Sequence, residues 1–168
     1  VRKHGSGNAG ATNMARVYGM VSGLYTLLGD MAKAGLAGLC GWLIGGHEGL
    51  AVACLGCLVG HCWPVFFSFK GGKGVSVSAC IGLLFDWRLF IILLITFFVV
   101  FVLFKRVSLS SICCAVVFPT AYILLNPGFN LTTVASILIG VCVICMHHQN
   151  IKRLIKGEEA KFAPKSAK

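Results

Sequence analysis

Long apolar runs separated by short polar connections determine what this chain can fold into. Six runs lie at about 24–45, 49–67, 75–86, 89–104, 108–125 and 131–146. A helix that crosses a hydrocarbon core of about 30 Å needs about 20 apolar residues, with a usual lower end near 17. Only 12% of the residues are charged, about half the share in a soluble domain. The sequence therefore predicts an all-α, polytopic membrane helix bundle of six transmembrane helices without a separate soluble domain.

The positions of lysine and arginine indicate how these runs cross the membrane. Asp86-Trp87-Arg88 alone separates the short third run from the fourth, so 75–104 could instead form one tilted span. With two spans there, thirteen basic residues share one face and Arg88 lies on the other, an asymmetry typical of a cytoplasmic face. We therefore expect six spans with both ends cytoplasmic. The thirteen residues are Arg2, Lys3, Arg16, Lys70, Lys73, Lys105, Arg106, Lys152, Arg153, Lys156, Lys161, Lys165 and Lys168.

The charges also limit the function. A net charge of +10 would suit a nucleic-acid partner, but the basic residues form short clusters between apolar runs rather than one basic face. We therefore expect no nucleic-acid partner. Asp30 and Lys33 stand three residues apart within the first run, on one face of a helix. We expect them to pair structurally near the helix end rather than to bind substrate.

The first of three polar segments on the predicted cytoplasmic face, residues 4–16, is rich in glycine. Its three glycines let the backbone turn with positive φ and approach a ligand closely. If a helix begins near Gly10, Thr12 and Arg16 are i and i+4 neighbours, and the Arg16 guanidinium suits phosphate. A glycine-rich helix entry with ordinary capping is the alternative. The other polar donors of the segment are Ser6, Asn8 and Asn13.

The second segment, residues 61–74, ends in Lys70-Gly71-Gly72-Lys73-Gly74. Successive backbone amides in such a loop can form an anion-binding nest, and the helix that follows adds its positive N-terminal end. The GxxxxGK[ST] spacing of a nucleotide P-loop is absent from the sequence. A basic turn without a ligand is the alternative. Because two glycines between lysines exceed what a turn requires, we favour a phosphate site.

The third segment follows the last apolar run. His147, Asn150 and Arg153 are three residues apart and would lie on adjoining parts of one helix face at the membrane exit. A basic tail that interacts with anionic lipid is the alternative, although it would need neither histidine nor asparagine. Ser108, at the start of the fifth run, is a further candidate ligand on this face. We expect residues 157–168 to form a basic cytoplasmic tail.

Together these segments resemble the bacterial acyl-phosphate:glycerol-3-phosphate acyltransferase family of the inner membrane. The resemblance runs in order along the whole chain. It implies seven spans with a cytoplasmic active face, so we expect one span to be missing at the N-terminus of a single acyltransferase domain over residues 1–168. The matching stretches are GSGNAGATNMAR at 5–16, HCWPVFFSFKGGKGV at 61–75, VSL at 107–109 and HHQNIKRLIKGEE at 147–159.

The resemblance implies transfer of a fatty acyl group from acyl phosphate to the 1-hydroxyl of glycerol 3-phosphate. The products would be lysophosphatidate and inorganic phosphate, in phospholipid biosynthesis. It implies as catalytic residues Ser6, Arg16, Lys73, His147 and Asn150. It implies as substrate-binding residues Gly7, Asn8, Thr12, Asn13, His61, Lys70, Gly71, Gly72, Gly74, Ser108, Arg153 and Glu159.

The residues independently limit the mechanism. Acyl-CoA-type glycerolipid acyltransferases resemble one another in a His-x₄-Asp motif, but in this sequence no histidine is followed five positions later by aspartate. No GxSxG elbow occurs in the sequence either. Acyl phosphate is already activated, so positioning and charge stabilisation could supply much of the rate enhancement. We expect direct attack without an acyl-enzyme, with the proton passing to His147 or to the phosphate itself.

Three other classes of function compete with this interpretation. A transporter of a phosphorylated solute should place polar groups at the membrane midplane, where these runs carry few. A purely structural or lipid-binding protein would not need His147 and Asn150. A metal-dependent phosphotransferase would need a carboxylate cluster, but the chain has five acidic residues spread over both faces. We therefore expect no metal or cofactor, membrane lipid as surroundings, and an oligomeric state that the sequence leaves open, with a monomer compatible.

Overall fold

The computed structural model describes residues 1–163, which form helices and connections without a strand. The all-α prediction is therefore confirmed for this part of the chain. Residues 164–168, with Lys165 and Lys168 of the predicted tail, lie outside the described residues. The helices are α1 (Ala11–Tyr18), α2 (Met20–Cys62), a 3₁₀ turn (Val65–Phe67), α3 (Val75–Phe85), α4 (Trp87–Phe104), α5 (Val107–Leu125), α6 (Leu131–Met146) and α7 (His148–Ile155).

The longest helix, α2, folds back on itself at two glycines. Gly45 (φ −140°, ψ 24°) and Gly46 (φ 58°, ψ −141°) leave the helical conformation, and the positive φ of Gly46 is one that glycine adopts readily. The arms 20–44 and 47–62 lie so close that a Cβ on Gly41 would be 2.3 Å from a carbonyl oxygen of the other arm. The first two apolar runs therefore form an antiparallel helical hairpin, with the predicted connection at its tip.

Residues 75–104 form two helices rather than one tilted span, as the charge distribution indicated. Asp86 adopts an extended conformation (φ −164°, ψ 123°) that ends α3. Its carboxylate accepts a hydrogen bond of 2.8 Å from the Arg88 amide and so caps α4. Within the bundle α4 turns back against α3, where Leu89 and Leu93 pack beside Gly82.

The number of membrane crossings is not confirmed as six, although each of the six apolar runs is helical. Three segments of the described chain are long and apolar enough to cross a membrane: Met20–Phe67, Trp87–Phe104 and Val107–Leu125. A fourth is added if α6 and α7, which meet at a bend of 58°, count as one span. With 11 residues, α3 is only about 16 Å long, roughly half of a hydrocarbon core.

The polar connections gather at one end of the bundle. Arg2 Nε donates a hydrogen bond of 3.0 Å to the carbonyl oxygen of Lys70, so the N-terminal segment lies beside the 63–74 connection. The Lys73 ammonium reaches Asn150 of α7. The connections that follow α3 and α5 meet at the opposite end. The three polar segments therefore lie at the same end of the bundle, and their place on the cytoplasmic face stays a prediction.

Between the two ends the interior is apolar and so is much of the outer surface. Leu58, Ile81 and Leu89 are almost completely buried at the centre. Ile44 and Phe98, by contrast, point outwards, with 89% and 68% of their surfaces exposed. An outer surface covered by large aliphatic and aromatic side chains is typical of a protein that has lipid as its solvent.

Candidate active site

A cavity of about 780 Å³ begins among the polar segments and continues between the helices. Thirteen of the seventeen residues predicted for the site line it, which shows that segments far apart in sequence converge on one space. The four that do not line it are Gly7, Lys70, Gly71 and Gly72. The thirteen are Ser6, Asn8, Thr12, Asn13, Arg16, His61, Lys73, Gly74, Ser108, His147, Asn150, Arg153 and Glu159.

The inner part of the cavity has an apolar wall. Leu24 and Leu27 of α2 lie on one side, Phe90 and Phe97 of α4 on another, and Phe118 of α5 closes the interior. These residues could not be identified from the sequence, because an apolar side chain that faces a cavity looks the same in sequence as one that faces lipid. The cavity therefore combines a polar end with a space suited to a hydrocarbon chain.

The glycine-rich N-terminal segment folds as the first part of the polar wall. Gly5 (φ 62°) and Gly7 (φ 72°) both adopt the left-handed conformation that glycine permits. Gly7 therefore serves the backbone turn. It does not line the cavity. Helix α1 begins directly after Gly10, and Thr12 and Arg16 both face the cavity, as the helical spacing predicted.

The structure gives Asn13 a different role from the predicted one. Its side chain is 1% exposed, and its amide nitrogen lies 3.2, 3.0 and 2.9 Å from the carbonyl oxygens of Val1, His4 and Asn8. Its amide oxygen accepts a hydrogen bond of 2.9 Å from the Ser6 backbone. Since the loop uses all of these groups, we correct the role of Asn13 from substrate ligand to organiser of the N-terminal loop.

The predicted nest of successive amides at Lys70–Gly74 is wrong for its first three residues. The amides of Lys70, Gly71 and Gly72 each donate a hydrogen bond of 3.1 Å to a backbone carbonyl of the chain before them. The two glycines instead permit close packing, since a Cβ on Gly71 would lie 1.9 Å from the His61 carbonyl oxygen. Lys70 is exposed outside the cavity. What remains of the predicted anion site is therefore the end of this loop, Lys73 and Gly74.

A hydrogen-bonded network around Glu159 joins the remaining polar segments. The Lys73 ammonium donates to the amide oxygen of Asn150, whose nitrogen donates to Glu159 Oε1 at 2.7 Å. Ser108 Oγ donates to the same oxygen at 2.6 Å, and Arg153 Nε donates to Oε2 at 2.6 Å. Burial by itself would raise the pKa of Glu159, but hydrogen bonds from Ser108, Asn150 and Arg153 outweigh it and lower the pKa.

Three cationic side chains line the polar end of the cavity: Arg16, Lys73 and Arg153. Burial, and then repulsion from Arg153 and Arg16, lowers the pKa of Lys73 to about 8, although Glu159 partly opposes this shift. The Arg16 guanidinium has no hydrogen-bond acceptor within residues 1–163 and lies 6.0 Å from the centre of the Phe162 ring. An anionic ligand would reduce the repulsion among these cations and would accept hydrogen bonds from the unpaired Arg16 guanidinium.

We expected His147 to lie on one helix with Asn150 and Arg153. In the structure it lies at the break between α6 and α7. Its side chain is 2% exposed, and Nδ1 lies 2.7 Å from the carbonyl oxygen of Val143. A carbonyl only accepts, so Nδ1 carries the proton and Nε2 of the neutral ring is an acceptor. His147, Asn150 and Arg153 still line the cavity together, because the 58° bend turns α7 across the polar end.

The predicted pairing of Asp30 with Lys33 is confirmed at 2.6 Å, and it extends further than expected. Asp30 also accepts a hydrogen bond of 2.8 Å from Ser76 of α3, and Lys33 Nζ lies 2.6 Å from His61 Nδ1. Ser76, which lines the cavity, could not be identified from the sequence because it lies on a helix turn that also carries apolar residues. Within residues 1–163 no group of three His, Cys, Asp or Glu side chains is placed to hold a metal ion.

Known proteins resemble this chain in sequence and in structure. A family model described as glycerol-3-phosphate acyltransferase matches residues 1–157. Proteins named glycerol-3-phosphate acyltransferase from Ralstonia pickettii (strain 12J) and Finegoldia magna are each 40% identical to it, over 98% and 96% of this chain and 81% and 82% of their own. Crystal structures of PlsY (YgiH), an integral membrane glycerol 3-phosphate acyltransferase, are 30% identical. Their glycerol 3-phosphate and lysophosphatidic acid forms have TM-scores of 0.90 and 0.86, covering 96% and 94% of this chain and 82% and 81% of theirs.

Replacement of Glu159 by glutamine should release the segment after α7 from the bundle. The variant loses charge-assisted hydrogen bonds, worth about 1–3 kcal/mol in folding free energy. We expect a lower thermal midpoint in detergent at pH 7 and faster proteolysis within 157–163. Because the pKa of Glu159 is lowered when folded, its contribution is present above its ordinary pKa of 4.5 and lost as the pH falls through the lower value.

Glu158→Gln is the matched control, since Glu158 is exposed and makes no side-chain hydrogen bond within the described residues. It should melt and be cleaved like the parent protein. Equal behaviour of the Glu159 and Glu158 variants at pH 7 would contradict the network.

Proposed function

The chain belongs to the glycerol-3-phosphate acyltransferase family, and we propose that its acyl donor is acyl phosphate and its acceptor the 1-hydroxyl of glycerol 3-phosphate. The products would be lysophosphatidate and inorganic phosphate. The observation that carries this proposal is the form of the cavity, with the cations Arg16 and Lys73 at one end and an apolar wall along the other. Acyl phosphate has the same two parts, a phosphate joined to a fatty chain.

The solved relatives support the proposed acceptor and product. PlsY, which shares the fold of this chain, has been crystallised in a glycerol 3-phosphate form and a lysophosphatidic acid form. These two compounds are the acceptor and the product of the proposed reaction. The volume of about 780 Å³ is within the range of small-molecule sites and offers room for two substrates at the polar end.

We assign the charged groups to the phosphates. Arg16 presents a planar fork of donors that matches phosphate oxygens, and Lys73 presents a point charge that Asn150 orients. Arg153 pairs with Glu159 and adds positive potential to the same wall. The hydroxyls of Ser6 and Thr12, which also line the cavity, would donate to substrate oxygens.

The reaction we propose is a direct transfer between the two bound substrates. The 1-hydroxyl oxygen of glycerol 3-phosphate forms a bond to the acyl carbonyl carbon, and the bond from that carbon to the phosphate oxygen breaks. Phosphate leaves with the electron pair, and the positive charges nearby stabilise it. The hydroxyl proton passes to Nε2 of His147 or to the leaving phosphate. Holding both substrates in one cavity supplies the proximity that a bimolecular reaction lacks.

The position in the membrane is also a proposal. The 13-to-1 division of basic residues favours six crossings with the polar end of the bundle in the cytoplasm of a bacterial inner membrane. In this arrangement α3 would cross with the help of the adjoining 63–74 connection. Residues 1–168 would form one acyltransferase domain, with 157–168 at the cytoplasmic surface.

A comparison of two acyl donors tests this function. Purified protein in detergent should form lysophosphatidate from glycerol 3-phosphate and acyl phosphate, with release of one phosphate per product. It should form none from acyl-CoA, because no His-x₄-Asp pair is present to act as base. Product from acyl-CoA alone would overturn the proposed donor. Well-folded protein that makes no product with either donor would favour the transporter of a phosphorylated solute.

The pH dependence of kcat/KM should reflect the pKa of Lys73, about 8. A protonated Lys73 holds phosphate, so activity should be retained below that pH and should fall as the pH rises through 8. In Lys73→Arg the charge persists to about pH 12, and the alkaline fall should move upwards or disappear even if the rate is lower. An alkaline fall at the same pH in both proteins would show that another group causes it.

A further inference from the structure

His61 stands at the end of α2, where it contacts three different parts of the chain. Only 6% of its side chain is exposed. Its Nδ1 atom lies 2.6 Å from Lys33 Nζ, in the other arm of the hairpin, and Lys33 Nζ lies 2.6 Å from Asp30 Oδ1. On its other side the ring lies against Gly72, where a Cβ would be 2.1 Å from Nε2.

The contact with Lys33 determines which ring nitrogen of His61 carries the proton. An ammonium group has three donors and no acceptor, so Nδ1 must accept the hydrogen bond and Nε2 must carry the proton. Asp30 Oδ1 is 3.4 Å from Nδ1 and already accepts from Lys33. The three groups then have no net charge. A protonated His61 would leave an uncompensated positive charge in a largely buried position.

His61 lines the substrate cavity, and its Nε2 atom has no hydrogen-bond partner within residues 1–163. Within residues 1–163, Ser78 Oγ is the side-chain polar atom that is both buried and without a hydrogen-bond partner. His61 Nε2 also has no partner, so it must retain some exposed surface. Glycine at position 72 leaves room for the His61 ring, because any side chain there would collide with the imidazole.

We propose that Lys33 and Asp30 hold His61 in the tautomer that presents Nε2–H to the cavity, where it donates a hydrogen bond to an anionic oxygen of a phosphorylated substrate. This inference rests on the proposed function for the identity of the substrate. Lys33 and Asp30 are positioning residues, since they act through His61. A neutral donor adds a contact to phosphate without adding charge to a wall that already carries Arg16 and Lys73.

A double-mutant cycle separates this role from simple structural support. Lys33→Met keeps the aliphatic stem but removes the donor, so His61 can move its proton to Nδ1 and share it with Asp30. Nε2 then becomes an acceptor that faces the substrate anion. His61→Gln places an amide donor near the position of Nε2, and that donor has no tautomer. The effect of Lys33→Met should therefore depend on whether His61 is present.

The experiment measures kcat/KM for phosphate release from acyl phosphate with glycerol 3-phosphate, with thermal melting as the test of folding. Lys33→Met should lower kcat/KM about tenfold in the parent protein and less than about twofold in the His61→Gln background. The control Lys152→Met, at an exposed position on α7 outside the cavity, should stay within about twofold of the parent protein. Equal losses in both backgrounds, or no loss in the parent protein, would overturn the proposal.

Nitrogen NMR of histidine-labelled protein provides a second measurement that does not depend on turnover. The His61 signals are assigned by their absence from His61→Gln. The parent protein should show Nε2 protonated and Nδ1 bare, and Lys33→Met should show the proton on Nδ1 with Nε2 bare. A proton on Nδ1 in the parent protein would overturn the inference, even if Lys33→Met failed to fold. A parent protein with the expected tautomer but no turnover would instead count against the proposed function.

Discussion

The hydrogen-bonded chain from Lys73 through Asn150 to Glu159 is the constraint on which the polar end of this protein depends. Lys73 belongs to the connection before α3, Asn150 to α7, and Glu159 to the segment that follows it, and Ser108 adds the start of α5. A buried ammonium is stable only where acceptors or opposite charges surround it. One carboxylate therefore fixes the positions of several segments and also offsets part of the repulsion among the cations.

The helices below this end supply a frame and an apolar space. The hairpin of α2 carries Asp30, Lys33 and His61 to the polar end, and close contact between its arms is permitted by glycine. The wall formed by α2, α4 and α5 continues the same cavity into the apolar interior. A substrate with a charged head and a hydrocarbon chain can thus satisfy both parts at once. We infer that this continuity is the reason why the proposed phosphate-binding groups lie at the end of the bundle rather than at its middle.

Part of this arrangement could be predicted from the sequence, because periodicity and charge report on local structure. Helical spacing correctly put Thr12 and Arg16 on one face, and the charge distribution correctly separated α3 from α4. Hydrogen bonds between distant segments leave no such pattern. The use of the Gly71 and Gly72 amides by α2, and the use of Asn13 by its own loop, depend on the folded path of the backbone. The same limit applies to the link between Lys33 and His61, which are 28 residues apart.

We propose that this cavity brings two phosphorylated substrates together for direct transfer, without an acyl group on the protein. Its most direct test is to incubate the protein with radiolabelled acyl phosphate in the absence of glycerol 3-phosphate, quench in acid and measure label bound to protein. We predict that no label becomes covalently bound to the protein, under conditions in which addition of glycerol 3-phosphate starts rapid turnover. A labelled protein that passes its acyl group to glycerol 3-phosphate at the rate of turnover would contradict direct transfer.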